Sequence, residues 1–87
     1  MAGATARLAM PVTDGISPQH FRALSALIYS ATGIRMPPSK TTMLEGRLRR
    51  RVRDNGFASI ADYCAYILSG DVSQADMDDF LNAVTTN

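Results

Sequence analysis

Residues 40–54 read KTTMLEGRLRRRVRD, and their spacing predicts a helix with two unlike faces. At about 100° per residue, Leu44, Leu48 and Val52 fall on one stripe, with Thr41 and Glu45 beside them. Roughly opposite lie Met43, Gly46, Arg47, Arg50 and Arg53, while Arg49 sits between the faces. Arg51 flanks the apolar stripe, so its stem is placed along the core surface and its head reaches water. A stripe of this period is the core-facing side of an amphipathic helix. Ser39 is the expected N-cap, and Asn55-Gly56 the expected stop.

Working outward, the preceding segment predicts a helix over 18–32. Ser17 serves as N-cap, Pro18 suits the first helical position and Gly33 ends it. Phe21, Leu24, Leu27, Ile28 and Ala31 form its apolar stripe. Pro37 and Pro38 then interrupt helicity and bias Met36 away from α geometry. Downstream, Ser59 with Asp62 and Ser73 with Asp76 repeat one capping device, each opening a helix. The third helix carries Ile60, Tyr63, Cys64, Ile67 and Leu68 and stops at Gly70; the fourth carries Met77, Phe80, Leu81 and Val84. No segment shows sustained period-two alternation. The expected fold is a compact all-α domain of four helices with short loops over 16–87, preceded by a flexible tail over 1–15.

With 87 residues there is room for one domain. Hydrophobic residues at 46% and charged residues at 20% give it the means to bury a core, which argues against a disordered chain. No apolar run approaches the roughly 18 residues of a membrane span, so membrane insertion is not expected. The first fifteen residues lack the apolar core of a secretory signal, and a cytoplasmic location follows. Cys64 is the sole cysteine, which excludes an internal disulfide and a thiolate metal cage, and its helical setting predicts a small core residue. His20, Cys64 and the aspartates have no catalytic spacing, so neither catalytic nor metal-binding residues are expected.

The net charge is only +1, yet it is unevenly placed. Residues 35–53 hold seven basic side chains and a single acid, Glu45; residues 54–87 hold six aspartates and neither Lys nor Arg. Such asymmetry bears on partners rather than on fold. Gly46 in a helix interior costs about 1 kcal/mol relative to Ala, and close approach by another backbone would account for it. Met43 adds an adaptable apolar contact, and arginine in place of lysine suits two-pronged recognition of carboxylates or phosphates. A plain solvated face is the competing reading, and the acidic fourth helix could offset the like charges within the fold. Nucleic acid is disfavoured as a partner, because that helix repels a polyanion and no aromatic side chain lies on the basic face for base stacking.

An ordered set of short strings resembles the CheR-type chemotaxis receptor methyltransferases. These are Phe21-x-x-Leu24-x-x-Leu27-Ile28-Tyr29, Thr32-Gly33-Ile34, Lys40, Arg47-Leu48-x-Arg50-Arg51-x-Arg53, Gly56-Phe57, Tyr63 and Asn82-Ala83-Val84-Thr85-Thr86-Asn87. The resemblance runs from about residue 17 to the end and implies an N-terminal helical domain. In that family it precedes a larger α/β domain that binds S-adenosylmethionine and methylates receptor glutamates. That catalytic domain is expected to be absent from this chain, with no methyl transfer and no cofactor for the chain alone. The resemblance also implies that the arginine helix faces acidic receptor methylation helices, with Arg47, Arg50, Arg51 and Arg53 matching the family's arginines. Asn87 matches a position near the cofactor in the intact enzyme. A regulatory protein, or the enzyme's own catalytic domain, is the alternative partner for the same face.

Overall fold

A computed structural model describes residues 15–85, and four α-helices account for most of them. They are α1 (Pro18–Thr32), α2 (Thr41–Asn55), α3 (Ile60–Leu68) and α4 (Gln74–Thr85), with a single 3-10 turn at Pro38–Lys40. No strand occurs among the described residues. The all-α, four-helix architecture expected from the sequence is therefore the one observed. Residues 1–14 of the expected tail and Asn87 lie outside the described residues.

Local chemistry sets most helix ends. The Ser17 hydroxyl accepts the His20 N–H at 3.0 Å, and Pro18 occupies the first turn of α1. Gly33, at φ 78°, takes the left-handed conformation that ends α1 and donates to the Tyr29 carbonyl at 2.7 Å. Gly56 does the same for α2, at φ 73°. Ser59 and Ser73 cap α3 and α4 by accepting the N–H groups of Asp62 and Asp76, both at 3.1 Å.

The start of α2 departs from expectation. Ser39 is not its cap: it lies within the 3-10 turn, and Lys40, which precedes α2, makes no side-chain capping bond. The fixed φ of Pro38 starts a tight turn that runs directly into the helix. The Lys40 N–H reaches the Pro37 carbonyl at 2.9 Å, and the Thr41 hydroxyl donates to the Pro38 carbonyl at 2.6 Å.

Helix α2 is the centre of the assembly, packed on both α3 and α4, while α1 packs on α3. Leu44, Leu48 and Val52 are buried as their period predicts, against Leu24 and Ile28 of α1, Ile60, Tyr63, Cys64 and Ile67 of α3, and Phe80 and Val84 of α4. Cys64 is a fully buried core side chain. Two stripe residues are exceptions: Ala31 and Leu68 are exposed, because each sits in the last turn of its helix, beyond the reach of the neighbouring element. Met36 is buried although it lies in the broken segment; the two prolines after it hold the chain where its side chain closes the core.

Candidate functional site

The arginines of α2 divide into two sets according to what α3 and α4 do to them. Arg50 and Arg53 are exposed, as is Gly46. Arg47 and Arg51 are half-buried and lean toward the neighbouring helices. Arg47 Nη1 donates to the Ala83 carbonyl at 3.4 Å. That carbonyl lies in the last turn of α4, where the intrahelical ladder leaves oxygens unpaired and the helix dipole favours a cation. Arg51 Nε approaches the Tyr63 hydroxyl at 3.5 Å. This contact, with Asp79 and Asp54 nearby, raises the Arg51 pKa above its ordinary value and secures its charge.

Met43 differs from expectation. It is half-buried and packs against the core, so only part of it is available on the basic face. The wheel places it roughly opposite the Leu44 stripe, yet it lines a shallow surface pocket with Ile34 and Met36 before α2 and with Val84 and Thr85 of α4. Gly46, in contrast, is bare: a Cβ built there meets nothing within 4 Å. Nothing within the described fold requires a glycine at that position.

Between α2 and α4 runs an open groove of about 570 Å³, lined by Arg47, Arg50, Arg51, Asp54, Asp79, Asn82 and Ala83. Sequence reasoning brought Arg47, Arg50 and Arg51 to this face. It missed Asp54, Asp79 and Asn82 as members of the same surface. The signal for them was present in the i, i+3 spacing of Asp79 and Asn82 on α4, but which face of α4 meets α2 is a tertiary fact. Phe57 packs edge-on against Tyr63, with ring centroids 5.1 Å apart. The Tyr66 hydroxyl donates to Asp76 Oδ2 at 2.6 Å, tying α3 to the first turn of α4. Burial pushes the Tyr63 pKa up, partly offset by Arg51, and the bond to Asp76 pushes Tyr66 up.

Among the described residues no cluster of His, Cys, Asp and Glu could hold a metal ion, and no helix is long and apolar enough to cross a membrane. The groove between α2 and α4 is a charged surface, with guanidinium groups beside acidic and amide side chains.

The comparisons with known proteins agree with this fold. Residues 19–85 match the family described as "CheR methyltransferase, all-alpha domain", and the chain belongs to that family. It is 42% identical over 78 residues to a chemotaxis protein methyltransferase of Klebsiella aerogenes, a match covering 90% of this chain and 25% of the relative. Proteins with the same description from Salmonella typhimurium and Escherichia coli K12 are 36% and 35% identical over 72 residues, covering 83% of this chain and 25% of each relative. The chain thus spans about a quarter of the length of these curated relatives. No solved structure gives a significant match.

Proposed function

We propose that this domain docks a chemotaxis-type protein-glutamate methyltransferase onto the acidic methylation helices of its cytoplasmic receptor substrate. The observation that carries the reading is the row of exposed guanidinium groups, Arg50 and Arg53, one and two turns beyond the bare Gly46 on the face of α2 that the core leaves unused. Acidic helices offer carboxylates that arginines grip in pairs, and a glycine lets the partner approach the α2 backbone closely. Membership of the CheR all-alpha family and the likeness to chemotaxis protein methyltransferases support the same reading.

On this reading the intact enzyme takes its methyl group from S-adenosylmethionine. Methyl transfer is assigned to the larger α/β domain that the family resemblance implies, with Asn87 matching a position near the cofactor in the intact enzyme. The work of this domain is binding and orientation. A cytoplasmic location is part of the proposal, since receptor methylation helices lie there.

The same arginine face could instead hold a regulatory protein or the enzyme's own catalytic domain. The Arg47 contact with Ala83 favours neither, because it is made within the domain. The test is to replace Arg50 and Arg53 together by Glu and titrate the protein against a receptor methylation-helix fragment. Both side chains are exposed, so the fold is expected to survive. Affinity should fall roughly tenfold or more, since like charges then face each other across the interface. Unchanged affinity would sink the docking proposal.

A further inference from the structure

The segment after α1 holds an apolar side chain outward. Gly33 stops the helix in the left-handed conformation. The Thr32 hydroxyl donates to the Ile28 carbonyl at 2.7 Å and accepts the Ile34 N–H at 3.0 Å. Met36, two residues on, is buried, and Pro37 and Pro38 fix the chain after it. Ile34 is thus pinned on both sides while its side chain remains 45% exposed. With so little left to order, contact with a partner costs little entropy there.

Ile34 lines a pocket of about 130 Å³ together with Met36, with Met43 and Arg47 of α2, and with Val84 of α4. Arg35 and Lys40, both exposed, stand at the same pocket, and none of its lining residues is acidic. Arg47 also lines the groove between α2 and α4, so pocket and groove adjoin at that residue. Met43, Arg47 and Arg50 fall at i, i+4 and i+7, along one side of α2. A helix laid on the arginines therefore reaches the pocket without leaving α2. A single exposed isoleucine is ordinary. One that shares a pocket with a half-buried methionine and three cations makes a surface of mixed character, which a plain solvated basic face does not require.

We propose that this pocket is an apolar anchor site: the acidic helix that docks on α2 places one aliphatic side chain against Ile34 and Met43, with carboxylates beside it on Arg35, Lys40 and Arg47. The inference rests on the docking proposal and deepens it, adding an element of recognition that charge alone does not supply. The volume suits a single side chain and is small for a ligand site, which typically needs about 300 Å³ or more. Met43, unbranched and adaptable, can shape itself to the side chain that enters. Partners of equal charge are then told apart by whether an aliphatic residue accompanies their carboxylates.

Titration of the 87-residue chain with a receptor methylation-helix fragment, at low and moderate salt, tests this. Ile34→Ser should weaken binding roughly three- to tenfold at both salts, because apolar burial is not screened. Ile34→Leu should retain most of the affinity. Leu68→Ser, a like change at an exposed residue outside the pocket, should leave it unchanged. In the unsubstituted chain, NOEs should join the Ile34 δ1-methyl and the Met43 ε-methyl to an aliphatic side chain of the fragment, a readout independent of how any variant folds. Affinity unchanged by Ile34→Ser, an equal loss from Leu68→Ser, or a complex without those NOEs overturns the anchor site and leaves arginine docking standing. Absence of binding by the unsubstituted chain overturns the docking proposal and this inference together.

Discussion

Gly46 is the residue where stability and use pull in different directions. Its position in the middle of α2 is helical, exposed and open, so an alanine methyl would meet no neighbour. Gly46→Ala should therefore raise the unfolding free energy by about 1 kcal/mol, read from urea denaturation. If the glycine is there for close approach by a partner helix, the same variant should bind that partner less tightly. The tyrosines give a second expectation at this scale. Both Tyr63 and Tyr66 have pKa values raised in the folded protein, Tyr63 chiefly by burial and Tyr66 chiefly by its bond to Asp76. A group whose pKa rises on folding contributes stability that is complete below its unfolded pKa, near 10 for tyrosine, and is lost as pH rises through the folded value. Thermal stability should hold across neutral pH and fall above roughly pH 10. Tyr66→Phe should make that alkaline fall shallower; an unchanged alkaline limb would show that the bond to Asp76 contributes nothing.

At the scale of the helices, the ends depend on a few short-range contacts. Ser73→Ala removes the acceptor for the Asp76 N–H and should cost about 1 kcal/mol, checked by denaturant unfolding. Threonine at the same position should restore most of the loss. These contacts were legible because they span three residues: Ser17, Ser59 and Ser73 all cap where the sequence places them. The core stripe of α2 was legible for the same reason, since Leu44, Leu48 and Val52 follow from period alone. The start of α2 was not, because the Pro37-Pro38 pair favoured a 3-10 turn over a side-chain cap at Ser39. Arg47 and Ala83 are 36 residues apart in sequence, and Arg51 and Tyr63 are 12 apart. No local pattern fixes how far α4 wraps round α2, and that packing decides which arginines are half-buried and which are left to solvent.

At the scale of the molecule, a net charge of +1 conceals a basic α2 beside an acidic α4. Placing the two in contact relieves part of the repulsion among the arginines while leaving Arg50 and Arg53 exposed. The central claim is that this exposed remainder binds an acidic helix. Backbone NMR shifts recorded during titration with a receptor methylation-helix fragment, at low and high salt, test it most directly. The account predicts shifts concentrated on residues 46–53 and on Asp79 and Asn82 across the groove, fading as salt screens the charges. Shifts centred on α1, or binding indifferent to salt, would contradict it.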